Sequence, residues 1–222
     1  YIIQPPTPER VKYDIFDRVN RGGTPLNKQE MRNALYRGRC TRMLDKLCCS
    51  PEFLIATGRS INKERMKDQY VVLRAIAFLM LHRGEFKDIP ALQYRGDIDD
   101  FLARFMVYVN DNAPEKLIVD YENLFIRCMQ ISYDLLGENG FRFSGNGIRR
   151  PINMPLFEAL SYLFSFVPEK IDYTWASRLI LDIESVKEEF DDSRYFSGNI
   201  DSTTSVCFRF DRMDKIINRI QL

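Results

Sequence analysis

The sequence has little of what catalytic and metal centres usually require. It contains one histidine, His82, in 222 residues. It has no G-x-x-x-x-G-K-[ST] segment, so a P-loop nucleotide site is excluded. It also has no C-x-x-C pair and no carboxylate clusters at metal-ligand spacing. We therefore expect this chain by itself to hold no complete catalytic centre, no metal and no bound cofactor.

Cysteine usage and hydropathy predict the compartment. The five cysteines are odd in number and lie mostly in apolar helical patterns, which favours reduced, buried thiols over a disulfide framework. They are Cys40, Cys48, Cys49, Cys128 and Cys207. The longest apolar run, 71–81, is interrupted by Arg74 and is too short to span a bilayer. With no signal-peptide pattern at the start, we expect a cytoplasmic protein with no membrane partner.

What the sequence does contain is helical periodicity. Apolar residues recur at spacings of three and four along most of the chain, which predicts an all-α, multi-helix bundle or array. Residues 1–7 resemble a strand end running into a Pro-Pro turn, and we expect them to be the remnant of an α/β lobe that precedes the chain. The helical domain is then 8–222, with a possible division into subdomains 8–96 and 97–222.

The least helical region is 141–150, where the sequence is compatible with either a small hairpin or a structured loop. Arg142, Arg149 and Arg150 surround a Gly-Asn-Gly segment, with Phe141 and Phe143 interleaved. Cations beside aromatic rings can bind nucleic acid through phosphate contacts and stacking. The alternative is a surface loop anchored by two buried phenylalanines.

Charge is unevenly distributed, although the formal net charge is only +1. Residues 1–74 carry a balance of +7, and residues 75–222 a balance of −6. A basic third on a nearly neutral chain indicates either an anionic partner or docking against the acidic remainder.

The strongest local pattern is a helix–loop–helix at 13–37, with a double glycine at its corner. The glycines leave backbone N–H groups bare, and the second helix, capped by Asn27, presents its N-terminal dipole to the same region. This geometry suits a phosphate group. The candidate contacts are Asn20, Arg21, Gly22, Gly23 and Thr24 at the corner, with Arg32 and Asn33 on the following turn. A purely structural corner, closed by glycine conformation and a capping box with Glu30, explains much of the same pattern.

One stretch of this region also resembles a known family. It is Phe16-x-x-x-Asn20-x-Gly22-Gly23-x-x-Leu26-x-x-x-Glu30-x-Arg32-Asn33, which looks like the segment after the catalytic lobe in the GmrSD-type restriction endonuclease N-terminal domain family. Two weaker matches are 68–78, with Arg74 inside an apolar helix, and 202–210, which ends in Arg209-Phe210.

The resemblance implies a function for the parent protein. Such proteins begin with a ParB/sulfiredoxin-like lobe bearing Asp-Gly-Gln-Gln-Arg, which is associated with nucleotide hydrolysis and DNA restriction in bacterial anti-phage defence. An HNH nuclease domain or partner is common. By this resemblance the parent is an NTP-dependent DNA endonuclease or NTPase that uses NTP with Mg. Its partners are then the N-terminal lobe, DNA and an HNH nuclease.

This sequence departs from the full pattern in two ways. It contains no Gly-Gln-Gln-Arg, and one histidine is too few for an HNH centre. The chain is therefore expected to be the helical portion that supports the lobe, with Asn20 to Thr24 on the rim of the lobe's pocket. The alternative from a different class is a non-enzymatic helical module that binds a protein or nucleic acid through the basic third.

Overall fold

The computed structural model describes residues 25–145, 148–170, 172–193 and 195–220, together with Val11, Ile15 and Arg18. From residue 25 onward the described chain is an array of nine α-helices, which confirms the all-α prediction. The helices are α1 (Lys28–Leu35), α2 (Arg39–Cys48), α3 (Pro51–Ala56), α4 (Lys67–His82), α5 (Ile98–Asp111), α6 (Glu115–Leu136), α7 (Met154–Phe164), α8 (Tyr173–Asp191) and α9 (Thr203–Ile220).

Polar caps fix where the helices begin. The side chain of Asn27 accepts hydrogen bonds from the backbone N–H groups of Gln29 and Glu30, and the Glu30 carboxylate accepts one from the Asn27 N–H, so the capping box is confirmed. Asp97 caps α5: its side chain accepts hydrogen bonds from the backbone N–H groups of Asp99 and Asp100. These contacts satisfy amide groups that the first turn of a helix leaves without intrahelical partners.

The core is built around two central helices. In α4 every residue from Val71 to Met80 is buried, and in α7 the same holds from Pro155 to Phe164. Helix α4 packs against α7, α2, α5 and α6, while α7 also contacts α9 and α6. A helix that is apolar on all sides must be covered on all sides. The resulting cluster of buried apolar side chains extends from Tyr36 to Ile217 and includes residues from both sides of position 96.

The loop at 141–150 has no strand among its described residues, so the hairpin alternative was wrong and the structured loop is what forms. Phe141 and Phe143 are both buried, and the ring of Phe141 lies 4.3 Å from that of Phe157 between centroids. Burial of the two rings holds the backbone in place without a ladder of strand hydrogen bonds.

Two other expectations bear on the periphery. Val11 and Ile15, four positions apart in the apolar periodicity of the sequence, are helical but 42% and 36% exposed. The predicted strand remnant at 1–7 lies outside the described residues. Within the described part of the chain, none of the helices combines the length and the apolar character that crossing a bilayer demands.

Candidate functional site

A cavity of about 520 Å³ opens beside the N-terminus of α1. Its walls come from the start of α1, the segment before α4, the first turns of α4 and Asp99 at the start of α5. The lining residues are Asn27, Lys28, Gln29, Arg32, Asn62, Glu64, Arg65, Lys67, Tyr70 and Asp99. We call this the α1 cavity. Four of its lining side chains are cationic and two are carboxylates, so its lining is basic overall.

Arg32 is the most unusual residue in the wall of the α1 cavity. Its side chain is fully buried, its Nε donates to Oε1 of Gln29 at 3.0 Å, and its Nη1 donates to Oδ1 of Asp99 at 2.8 Å. The guanidinium carbon lies 5.3 Å from the centroid of the Tyr70 ring. Its Nη2 has no hydrogen-bond partner in the described part of the chain. Arg32 therefore has an unused donor. Because a buried N–H group without an acceptor costs free energy, an acceptor from a ligand would stabilise it.

Two cations of the α1 cavity share one carboxylate. Lys28 and Arg32 share the carboxylate of Asp99. Burial by itself would raise the pKa of Asp99, but hydrogen bonds from the two cations outweigh it, and the pKa is lowered. The hydrogen bond to Asp99 likewise raises the pKa of Lys28. One carboxylate therefore serves two cations, which leaves positive charge in excess.

Arg65 ties the segment before α4 to the start of α1. Its Nη2 donates to the backbone oxygen of Pro25 at 2.6 Å and to Oε2 of Glu30 at 2.9 Å. Its own backbone oxygen accepts from Nδ2 of Asn27 at 2.7 Å. The hydrogen bond from Arg65, followed by that from the Asn27 backbone, lowers the pKa of Glu30.

The structure treats the other predicted phosphate contacts differently. Asn33 does not line the α1 cavity: its amide oxygen accepts from Nε2 of Gln29 at 2.8 Å and its amide nitrogen donates to Oε1 of Gln69. Its role is to join α1 to α4. Asn20, Arg21, Gly22, Gly23 and Thr24 lie outside the described residues, and their proposed contacts stay predictions.

The three arginines of the 141–150 loop have distinct surroundings. Arg142 is 4% exposed and donates to the backbone oxygens of Thr57, Glu138 and Arg150, so it is a buried tie between loops. Arg149 is paired with Glu138 at 2.8 Å, and Arg150 with Asp191. The guanidinium of Arg150 also lies 5.4 Å from the Phe143 centroid. Of the three, only Arg149 and Arg150 have partly exposed charges.

A second polar cluster lies inside the core, and the sequence patterns did not predict it. Glu158, fully buried on α7, accepts from Arg74 of α4 and from Arg209 of α9, the latter at 3.1 Å. Arg74 also donates to Asp201 at 2.6 Å and to the hydroxyl of Tyr70 at 3.0 Å. A glutamate inside an otherwise apolar helix is the sequence signal that points to such a buried ion pair.

This cluster connects the three segments that carry the family resemblance. Arg32 stacks on Tyr70, Tyr70 accepts a hydrogen bond from Arg74, and Arg74 shares Glu158 with Arg209. Residues near positions 32, 74 and 209, far apart in sequence, thus belong to one chain of side-chain contacts. Their spacing in sequence gave no indication of this arrangement.

His82 lies against the same cluster and is not placed for acid–base chemistry. Its ring stacks on Phe210, with centroids 3.6 Å apart and an interplanar angle of 8°. Burial, and then the positive charge of Arg209, lowers the pKa of His82 to about 3. The imidazole is therefore neutral at physiological pH, where it acts as a packing group.

Neither metal-binding clusters nor relatives define the site further. Over the described residues, no group of three or more His, Cys, Asp and Glu side chains is arranged to hold a metal ion. No family model matches the chain. No significant match was found among curated proteins or among solved structures.

Proposed function

We propose that this chain is the helical part of a restriction-type, anti-phage protein of the GmrSD kind, where it supports a nucleotide- and DNA-processing lobe and supplies a phosphate contact. The observation that carries this proposal is the unpaired Nη2 of fully buried Arg32 in the wall of the α1 cavity. A buried guanidinium with an unused N–H donor is suited to a phosphate oxygen, because a charge-assisted hydrogen bond to an anionic acceptor is stronger than a neutral one.

The size and charge of the α1 cavity agree with this ligand class. A volume of about 520 Å³ lies within the range of small-molecule sites. Lys28, whose side chain is 65% exposed, is free to turn from Asp99 toward an entering anion. Asp99 would keep Arg32 as its partner. An anion held between Lys28 and Arg32 would also lie at the N-terminus of α1, where the helix dipole favours negative charge.

The contacts between distant segments support the family part of the proposal. The resemblance rests on residues near 16–33, 68–78 and 202–210, and Arg32, Arg74 and Arg209 from these segments are linked through Tyr70 and Glu158. If the three segments form one structural unit, the family pattern is expected to include residues from all three. In this proposal the helical array holds the α1 cavity in position beside the lobe.

The first experiment measures phosphate binding by this chain. Inorganic phosphate, tripolyphosphate and ATP with Mg are each titrated calorimetrically into wild type, Arg32→Gln and Arg32→Lys. Charged hydrogen bonds contribute about 1.5–3 kcal/mol, so Arg32→Gln is expected to weaken binding by tenfold or more. Arg32→Lys keeps the charge but loses the Nη2 donor, and an intermediate affinity is expected.

Arg104→Gln is the matched control. Arg104 pairs with Asp100, the neighbour of Asp99, and does not line the α1 cavity. Its removal should leave binding unchanged. Absence of binding by wild type at millimolar ligand, or equal loss in Arg104→Gln and Arg32→Gln, would contradict the proposal. In the complete protein, Arg32→Gln should also abolish protection of bacteria in a phage plating assay.

A further inference from the structure

The segment between α3 and α4 has a strained backbone. Arg59, Arg65 and Met66 adopt φ values of 51°, 56° and 59°. Among the described residues these are the non-glycine positions with positive φ, and all three lie within eight residues of one another. Such conformations persist where the surroundings impose them, and they cluster at ligand sites.

Contacts on both sides impose this conformation. Nη2 of Arg142 donates to the backbone oxygen of Thr57 at 3.2 Å and to the hydroxyl of Ser60. At the other end, Asn27 and Arg65 join the segment to α1, as described above. We call residues 58–66 the bridging segment, because its residues line two different cavities.

The second cavity, of about 390 Å³, lies on the other side of the bridging segment. Its lining is Ser60, Ile61, Lys67, Val71, Arg142, Arg149, Arg150, Pro151, Ile152 and Met154. We call it the Arg149 cavity. Four of these residues are cationic, and none is a carboxylate. Lys67 lines both cavities, and its side chain makes no hydrogen bond or ion pair with any described residue.

The positive charge of the Arg149 cavity is only partly neutralised. Glu138, the partner of Arg149, is not in the lining of this cavity; it lines a neighbouring cavity that Arg142, Arg149 and Arg150 also line. Burial, and then the charge of Arg149, lowers the pKa of Arg142, which means that the two guanidinium groups repel each other across the loop. An anion in the Arg149 cavity would relieve that repulsion and would meet Lys67 as an unengaged partner.

We propose that the Arg149 cavity is a second phosphate site, and that the two cavities, which meet at Lys67, form one bipartite site for a molecule with at least two phosphate groups. This inference rests on the proposed function for its first half, the phosphate in the α1 cavity. It adds the ligand class: a polyphosphate chain or the backbone of a short oligonucleotide.

The test compares probes with one and with several phosphates. Inorganic phosphate, tripolyphosphate and a single-stranded oligothymidylate of eight residues are titrated into wild type, Arg149→Gln and Lys67→Gln. Both variants remove partly or largely exposed charges, so the fold should be retained. A weakening of about two- to fivefold per variant is expected for the multiphosphate probe that spans the site. If the variants weaken the binding of tripolyphosphate, the ligand is a polyphosphate chain. If they weaken only the binding of the oligonucleotide, the ligand is a nucleic-acid backbone.

Two further variants sharpen the result. Lys63→Gln is the control, because Lys63 is an exposed cation of the same segment that lines neither cavity. Glu138→Gln should strengthen binding, since it frees Arg149 from its partner. If Arg149→Gln and Lys63→Gln behave alike with every probe, the bipartite site is refuted, whether or not Arg32→Gln still weakens phosphate binding. Loss of the Arg32 effect instead refutes the proposed function.

Discussion

Two buried arginines, Arg32 and Arg74, have opposite environments in this molecule. Every guanidinium nitrogen of Arg74 has a partner in Glu158, Asp201 or Tyr70, and Arg74 lies within the packed core. Arg32 has one nitrogen without a partner and lines a cavity. A fully satisfied buried cation has a structural role. One that keeps an unused donor beside a cavity is available to a ligand.

The largest effect is expected from the carboxylate that serves Arg74. Glu158→Gln removes the negative charge shared by Arg74 and Arg209, and breaking a buried ion pair costs about 3–5 kcal/mol of unfolding free energy. Urea denaturation followed by circular dichroism measures the loss. Glu115→Gln, which removes a 76% exposed partner of Arg39, is the control and should change stability by less than about 1 kcal/mol. Equal losses would mean that the buried cluster is not structural.

A smaller loss is expected at Arg32. In Arg32→Met the carboxylate of Asp99 keeps Lys28 as a partner, so the expected cost is about 1–3 kcal/mol, less than for Glu158→Gln. The same variant should lose the thermal stabilisation that phosphate or ATP gives to wild type. A destabilisation as large as that of Glu158→Gln, with ligand stabilisation retained, would remove the distinction between the two arginines.

The pH dependence of stability tests whether His82, which lies beside Arg209, is kept neutral in the folded chain. His82 has a pKa of about 3 in the folded chain against 6.5 when exposed, so the unfolded chain binds the extra proton between these values. Stability is therefore present above pH 6.5 and falls as the pH decreases toward 3, by at most about 1.4 kcal/mol per unit. His82→Phe keeps an aromatic ring but removes this pH-dependent contribution to the free energy of unfolding. Urea denaturation at pH 7.5, 6 and 5 should show wild type losing stability relative to His82→Phe as the pH decreases. A constant difference would mean that His82 is not kept neutral.

The smallest effect is expected at Arg149. Its side chain and that of Glu138 are 45% and 53% exposed, and such pairs contribute about 0–1 kcal/mol. Arg149→Gln should therefore leave the urea midpoint nearly unchanged, while anion binding in the Arg149 cavity declines. A loss above 2 kcal/mol, roughly twice the limit for an exposed pair, would indicate a structural rather than a binding role.

Local patterns predicted most of the helical structure. The capping box at Asn27 and the apolar run of α4 depend on residues within a few positions of one another, and both are confirmed. The buried phenylalanines predicted as anchors of the 141–150 loop are also confirmed. The hairpin alternative was wrong there, because burial of Phe141 and Phe143 fixes the loop without strand pairing.

The candidate site was predictable only in part. Arg32 was identified from its position one turn after the helix start, but the cavity beside it needs Tyr70 and Asp99, which come from α4 and the start of α5. Lys67 was not among the predicted site residues, because a lone lysine at a helix start has no distinctive sequence pattern. Its significance comes from lying between two cavities.

By itself, the sequence determined where the helices begin and end, which faces are apolar and that positive charge is concentrated in the first third, since each depends on neighbours along the chain. Tertiary structure decided which arginines are saturated and which retain a donor. It also brought Arg32, Tyr70, Arg74 and Arg209 into one set of contacts. The physical reason is that a hydrogen-bond partner is chosen by proximity in space, and α1, α4, α7 and α9 meet only when the core is packed.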